Sequence, residues 1–166
     1  MQSIETDRLI LRRFTLDDAP AYQRLNSDPA VLRYTYDPPI ETLEEARRIL
    51  QEAPLADYAN CGYGRVACVL KETGELIGFS GLKYLPDYGE TDIGYRFVQR
   101  CWGQGLATES ALPMMVYGRE ALGLRRIVGI VDPDNRASAR VLRKLGLVYE
   151  GIRHVPELDR DMHIYA

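Results

Sequence analysis

The stretch from Glu90 to Gly123 changes its hydrophobic period part-way along. From Glu90 to Val98, apolar side chains alternate with polar ones, which predicts a strand with one apolar face. After Gly103 and Gly105, small and apolar residues recur at helical spacing, at positions 107, 111, 114, 115 and 118, and Gly123 ends that pattern. The stretch therefore predicts a strand, a glycine-rich turn and a helix, in that order.

Three further helices are expected over 16–25, 43–53 and 136–145. Their N-caps are expected at Thr15, at Thr42 and at either Asp134 or Asn135, because short oxygen-bearing side chains accept the free N–H groups of a first turn. Two prolines fall in helical patterns, and their expected effects differ. Proline 54 is expected to end the second helix, and proline 113 to kink the central one.

Strand-like patterns fill most of the remaining chain, over 8–14, 65–72, 75–82, 126–131, 147–153 and 161–165, with a hairpin turn at Thr73-Gly74. Strands that alternate with helices around a hairpin predict an α+β fold. The expected architecture is a mixed, mostly antiparallel central sheet of about seven strands flanked by about four helices. A chain of 166 residues can bury its own core, so residues 1–166 are expected to form one domain.

Composition excludes several classes of protein. No apolar run is long enough to span a membrane, and no signal peptide is visible, so no membrane partner is expected. Three cysteines without paired spacing favour a reduced, cytoplasmic setting. The net charge of −3 argues against nucleic-acid binding. His154 and His163 lie in no ligand pattern, so no metal site is expected.

The charges are unevenly distributed along the chain. Residues 100–144 carry eight basic and four acidic side chains, a balance of +4, which leaves −7 for the rest. A basic segment around a glycine-rich turn and an acidic remainder suit an anionic cofactor and a cationic acceptor.

A glycine-rich turn between a strand and a helix can bind phosphate. The first turn of a helix has unpartnered N–H groups, its dipole favours an anion, and glycines allow close approach. The turn is not a Walker loop, because no Gly-Lys-Ser/Thr ends it, and it lacks the third glycine of a dinucleotide motif. From the turn alone, a phosphate site and a ligand-free tight turn are equally favoured.

Four short stretches occur in the order that is typical of one family. They are Glu-Thr-Asp-Arg-Leu-Ile-Leu-Arg over 5–12, Asp17-Asp18-Ala19, Trp102-Gly-Gln-Gly105-Leu-Ala107 and the segment 132–147. Together they resemble the GNAT superfamily of N-acetyltransferases, and within it the branch of RimJ/RimL-type ribosomal-protein N-acetyltransferases. Trp stands where most of the superfamily has Gln or Arg, a departure that is typical of this branch.

The resemblance implies that the protein binds acetyl-coenzyme A (acetyl-CoA). Backbone N–H groups of the turn would hold the pyrophosphate. Backbone N–H groups near Phe97 and Val98 would bind the pantetheine arm and the thioester oxygen. Asn135 would contact the arm as well as cap its helix. The turn residues implied are Gly103, Gln104, Gly105, Leu106, Ala107 and Thr108.

The resemblance also implies catalytic residues. The carboxylate that precedes Ile-Gly-Tyr is Asp92, the expected general base, and Glu90 on the same face is the alternative. The family's tyrosine acid falls on Leu142, which has no hydroxyl, so Ser138 one turn earlier is the candidate, with a coenzyme contact as its other role. A carboxylate base favours an α-amine, roughly one-tenth neutral at pH 7, over a lysine amine.

These expectations describe an acetyl-CoA-dependent N-acetyltransferase, which moves the acetyl group to a primary amine by direct attack. The acceptor is expected to be a protein N-terminus or a small amine, and the region 34–63 to line its site. Because the tyrosine is missing, the alternative is a non-catalytic acyl-CoA-binding protein. The oligomeric state is left open, with a homodimer compatible.

Overall fold

The computed structural model describes residues 2–166, and its backbone forms two sheets that meet at one point. The first is an antiparallel sheet with strand order β1-β2-β3-β4-β5, and the second has the order β6-β8-β7. The strands are β1 (Ile4–Glu5), β2 (Leu9–Arg12), β3 (Arg65–Leu70), β4 (Leu76–Leu85), β5 (Glu90–Phe97), β6 (Gly129–Val131), β7 (Tyr149–Val155) and β8 (Arg160–Tyr165).

Six α-helices lie within residues 2–166, two of them only one turn long. They are α1 (Ala19–Asn26), α2 (Pro29–Leu32), α3 (Leu43–Leu50), α4 (Ala56–Asn60), α5 (Leu106–Val116) and α6 (Arg136–Lys144). Helix α5 packs on β4 and β5, and α1 packs on α3 and β4. The larger apolar core lies around α5 and includes Leu82 and Met114, while a smaller one under α1 and α3 includes Phe14 and Leu50.

The expected α+β class with a mixed, mostly antiparallel sheet is confirmed. The predicted hairpin is also present, since Gly74 has a left-handed φ of 69° and donates its N–H to the Leu70 carbonyl at 2.8 Å. Two details differ. A short extra strand, β1, pairs with β2, and the predicted strand over 126–131 is reduced to β6, because only one residue before it pairs with β5.

The expectation that Pro54 ends the second helix is wrong. A wide π turn over Gln51–Leu55 contains Pro54, and the chain continues into α4. Proline removes one N–H donor, and the backbone widens by a residue at that point instead of stopping. Burial of Pro54 and Tyr58 against the core stabilises the continued helix. Pro113 lies inside α5, where the kink stays a prediction.

The predicted helix caps are confirmed where the site depends on them. Thr42 Oγ1 accepts the Glu45 N–H at 3.1 Å, and Asn135 Oδ1 accepts the Ser138 N–H at 3.1 Å. Asn135, not Asp134, is therefore the N-cap of α6. The cap fixes Asn135 and Ser138 together at the start of that helix.

Candidate active site

The two sheets separate between β5 and β6, and this separation creates the site. The strands share one parallel bridge, in which Val128 N–H donates to Thr91 C=O at 2.9 Å and Ile93 N–H donates to Val128 C=O at 2.8 Å. The next bond of a parallel ladder would join Ile130 N–H to Ile93 C=O. That N–H instead donates to the Asp92 carboxylate at 3.2 Å, so the backbones part beyond it.

A cavity lies on each side of this separation. The turn-side cavity, about 430 Å³, is bounded by the 102–108 turn, α2, the end of β5 and α6. The helix-side cavity, about 460 Å³, lies between α1, α3 and α4 and strands β3 to β5. Both volumes are in the range of small-molecule sites. Six residues line both cavities and mark their junction: Tyr34, Thr35, Tyr95, Arg96, Asn135 and Ser138.

The glycine turn forms an open cradle in the turn-side cavity. Gly103 and Gly105 have left-handed φ angles of 73° and 81°, which side-chain-bearing residues rarely adopt. A Cβ built on Gly103 meets no atom within 4 Å, and one on Gly105 meets only Arg8 Nη2, at 3.8 Å. Gly105 is also the N-cap of α5, so the free N–H groups of that helix start at this open space. The cradle therefore fits a phosphate group.

Two side chains anchor the turn. Trp102 Nε1 donates to the Phe97 carbonyl at 2.7 Å, which ties the turn to the end of β5 and explains the use of Trp here. Arg8 Nη2 donates to the Gln104 carbonyl at 3.0 Å, and Arg8 also pairs with Glu109 on the first turn of α5. The start of the chain thus fixes the shape of the cradle.

Of the predicted cofactor residues, Val98 and Gln104 do not line the turn-side cavity, whereas the others do. The Val98 N–H donates to the Ile77 carbonyl at 2.9 Å, so the expectation that it is free to bind the pantetheine arm is wrong. Hydrogen-bonded and non-hydrogen-bonded pairs alternate in an antiparallel ladder. The N–H of Phe97, opposite Gly78, therefore points away from β4 towards the separation.

The basic segment contributes unequally to this cavity. Arg140 and Lys144 on α6 line it. Arg100 instead pairs with Glu75 at 2.5 Å, and Arg126 pairs with Glu90 and Glu150. Of the basic segment, Arg140 and Lys144 are therefore the cations that a ligand meets in the turn-side cavity, beside Arg96 of β5, which pairs with Asp37.

Two hydroxyl groups meet at the junction of the cavities. The Tyr95 hydroxyl donates to the Ser138 carbonyl at 2.9 Å and lies 3.0 Å from Ser138 Oγ. Burial raises the pKa of the Tyr95 phenol above its ordinary value of 10, so the hydroxyl stays protonated at neutral pH. Leu142 is buried and brings no polar group, as expected. Tyr95 thus supplies a hydroxyl from β5, which sequence reasoning missed although Tyr95 follows Ile-Gly.

Asp92 is buried, with 8% of its surface exposed, and both of its oxygens have partners. Oδ2 lies 2.5 Å from Arg65 Nη2, and Oδ1 accepts the Ile130 N–H. Asp92 as general base stays a prediction, but this geometry argues against it, since Arg65 and the Ile130 N–H already occupy both carboxylate oxygens. The preference for an α-amine depended on that role and loses its basis.

Glu90, the alternative base, lies in an ion-pair cluster. Its two oxygens pair with Arg126 at 3.0 Å and Arg153 at 2.7 Å. The hydrogen bond from Arg153 lowers the pKa of the Glu90 carboxyl. Glu90 lines neither cavity and ties β5 to β7, so its surroundings give it a structural role.

Charged side chains from both the helices and the strands line the helix-side cavity. The region 34–63 supplies much of its wall, including Asp37, Glu45 and Asp57. Burial raises the pKa of the Asp57 carboxyl. Arg65 and Lys83 come from β3 and β4, and their placement follows from strand pairing, which no local sequence signal announces.

Within residues 2–166, no cluster of His, Cys, Asp and Glu side chains could hold a metal ion. The same part of the chain contains no helix that is both long and apolar enough to cross a bilayer.

The model of the acetyltransferase (GNAT) domain family matches residues 8–148, most of the chain and all of the junction. The chain belongs to the GNAT acetyltransferase family. The uncharacterised N-acetyltransferase YoaA of Bacillus subtilis is 37% identical over 150 residues, which are 90% of this chain and 84% of that protein. The expected family is confirmed, and this GNAT chain is an acyltransferase that transfers acetyl groups to an amine.

Solved GNAT structures share its fold. An acetyltransferase from Agrobacterium tumefaciens is 27% identical, with a TM-score of 0.84 over 99% of this chain and 93% of that one. A RimL ribosomal-protein acetyltransferase in complex with coenzyme A is 24% identical, with a TM-score of 0.81 over 98% of this chain and 96% of that one. At this identity, the likeness to RimL shows a shared fold.

Proposed function

We propose that this chain is an acetyl-CoA-dependent N-acetyltransferase in which the two substrates enter from opposite sides of the sheet. The observation that carries the proposal is the junction of the two cavities at Tyr95 and Ser138, beyond the last bond between β5 and β6. Acetyl-CoA binds in the turn-side cavity, and a primary amine, on a protein N-terminus or a small molecule, binds in the helix-side cavity.

The turn-side cavity offers each group that the anionic cofactor requires. Backbone N–H groups of residues 103–108 hold the pyrophosphate at the open cradle, and Arg140 and Lys144 add positive charge beside it. Asn135 contacts the pantetheine arm at the junction. The Phe97 N–H points into the separation, where it donates to the thioester oxygen.

Acetyl-CoA supplies a thioester, an activated acyl group with a thiolate as leaving group. The neutral acceptor amine attacks the carbonyl carbon, a C–N bond forms, and the C–S bond breaks. In this step the Tyr95 hydroxyl exchanges its bond to the Ser138 carbonyl for one to the departing sulfur, and the neighbouring Ser138 hydroxyl donates beside it. Because burial raises the pKa of Tyr95, full proton transfer to a thiolate of pKa near 8.5 is unfavourable, and hydrogen-bond donation is its role.

Asp92 acts as a positioning residue in this proposal. Its carboxylate holds Arg65 on one side and the Ile130 N–H on the other, and so it fixes the width of the separation through which the acetyl group passes. The amine gives up its proton to water rather than to Asp92. Precise placement of the two reacting groups then supplies much of the rate.

Release of free thiol tests the proposal against the alternative of a non-catalytic acyl-CoA-binding protein. The protein is mixed with acetyl-CoA and a set of amines and N-terminal peptides, and thiol is measured with and without each amine. Amine-dependent thiol release above the protein-free rate supports the transferase. Tight coenzyme binding without such release supports the alternative.

A further inference from the structure

Two charged side chains in the helix-side cavity have no partner among the described residues. The Asp57 carboxylate and the Lys83 ammonium are each half-buried and line the same cavity. Burial raises the pKa of the Asp57 carboxyl, and the positive charges of Lys83 and Arg65 act in the opposite direction. Asp57 and Lys83 do not form an ion pair with each other, although both line the cavity.

The other charges of this cavity are already engaged. Arg65 pairs with Asp92, and Arg96 pairs with Asp37, each at 2.5 Å. Asp132 accepts hydrogen bonds from the Tyr36 hydroxyl and the Asp134 N–H, and Glu45 accepts the Glu41 N–H at 3.0 Å. Among the described residues that line this cavity, Lys83 is thus the cation without a carboxylate partner, and Asp57 is the carboxylate without a hydrogen-bond donor.

Strand register gives the position of these two residues relative to the junction. Lys83 is the cross-strand partner of Asp92, which lies three residues before Tyr95 on β5. At about 3.4 Å per residue, Lys83 lies about 10 Å along the sheet from the Tyr95–Ser138 junction. A molecule that spans both points is elongated, with a reacting amine at one end and a recognised group at the other.

We propose that Asp57 and Lys83 form a specificity subsite for the far end of the acceptor, and that this end carries an ammonium and a carboxylate together, as an amino-acid head group does. The acceptor class is then a diamino acid whose second amine reaches the junction. This inference rests on the proposed acetyltransferase function. Asp57 binds the ammonium of the head group, and Lys83 binds its carboxylate.

Lys83 separates a diamino acid from the main competing class of acceptor. The carboxylates on the cavity wall attract a polyamine as well, but a polyamine has no carboxylate to pair with the Lys83 ammonium. A simple monoamine leaves both Asp57 and Lys83 without partners in a desolvated site, which carries a cost for each. A zwitterionic head group satisfies both residues at once.

The test compares three acceptors that share one primary amine and differ at the far end: lysine, cadaverine and aminohexanoate. Lysine carries both charges, cadaverine lacks the carboxylate, and aminohexanoate lacks the second amine. Thiol release with acetyl-CoA gives kcat and KM for each acceptor with the unaltered protein, Asp57→Asn and Lys83→Gln. Glu72→Gln, which removes an exposed carboxylate from the β3–β4 hairpin, is the matched control.

We expect lysine to have a kcat/KM at least about tenfold above both analogues, because loss of a hydrogen bond to a charged group costs about that factor. Asp57→Asn should raise KM for lysine about tenfold and leave KM for aminohexanoate unchanged. Lys83→Gln should raise KM for lysine, whereas KM for cadaverine should not rise. Glu72→Gln should change none of these values.

Other patterns overturn the inference without touching the proposed function. They are equal use of the three acceptors, a fall in kcat for all three in Asp57→Asn, or acetylation of N-terminal peptides while lysine is ignored. Absence of thiol release with every amine and peptide is a different result, since it contradicts the proposed acetyltransferase itself.

Discussion

The Asp92 carboxylate accepts the Ile130 N–H at 3.2 Å, in the place where the next backbone bond between β5 and β6 would form. A side chain thus ends the parallel pairing and satisfies the N–H that the separated strand leaves exposed. The same carboxylate holds Arg65, whose guanidinium lies over Gly94 so closely that a Cβ there would be 2.4 Å from Nη2. This arrangement keeps the site open.

Asp92→Asn should lower kcat by about tenfold to a hundredfold at every pH, because the loss is one of positioning. Arg65→Gln should give a similar loss, since it breaks the same ion pair. Rates from about pH 6.5 to about pH 10 on both variants measure this. A loss that shrinks as pH rises, in Asp92→Asn but not in Arg65→Gln, would make Asp92 the general base that the sequence suggested.

Gly105→Val should weaken acetyl-CoA binding by more than about tenfold, since its side chain would occupy the phosphate cradle. The substitution also strains a left-handed backbone, so Gly123→Val is the matched control: Gly123 has a φ of 67° and equally open surroundings, but it lies at the far end of the same helical segment. Calorimetry with both folded variants separates the two effects. Equal loss of affinity in the pair would show that the cradle is elsewhere.

Tyr95→Phe and Ser138→Ala should each lower kcat by about tenfold, with little effect on coenzyme affinity. The double variant should lose less than the product of the two, because the hydroxyls are 3.0 Å apart and act together. Because burial raises the pKa of Tyr95, the loss in Tyr95→Phe should stay constant from neutral pH up to about pH 10, the ordinary tyrosine value. Unchanged kcat in both single variants would remove the hydroxyl pair from the mechanism.

Replacing both Arg140 and Lys144 with Gln should weaken coenzyme binding and flatten its dependence on salt, because these cations line the turn-side cavity. Arg119→Gln, which removes an exposed charge of the same basic segment outside that cavity, serves as the control and should leave both quantities near their original values. Equal salt slopes in the original protein and the double variant would show that the charge of α6 does not attract the ligand.

The parts of the site that the sequence predicted well are those set by local chemistry. The left-handed glycines of the turn and the cap at Asn135 depend on residues within a few positions of one another. The positions of Arg65 and Lys83 relative to Asp92 depend on the register of β3, β4 and β5, which no local pattern specifies.

The burial of the polar face of β5 is another feature that no local sequence pattern specifies. The alternation along β5 correctly predicted a strand with one apolar face, but Asp92 on the polar face is buried by Arg65 and β6, which the alternation does not indicate. Pro54 was misread because tertiary packing around Tyr58 holds a helix that local preference would end. Non-local contacts account for both differences.

Acetyl transfer to an amine is tested most directly by following free thiol and acetylated amine together, in one reaction of the protein with acetyl-CoA and a mixed set of amines. We predict that thiol and acetylated amine appear in equal amounts, that both require an amine, and that both fall in Gly105→Val and are kept in Gly123→Val. Coenzyme binding with no thiol release above the protein-free rate, for any amine or peptide, would contradict this prediction.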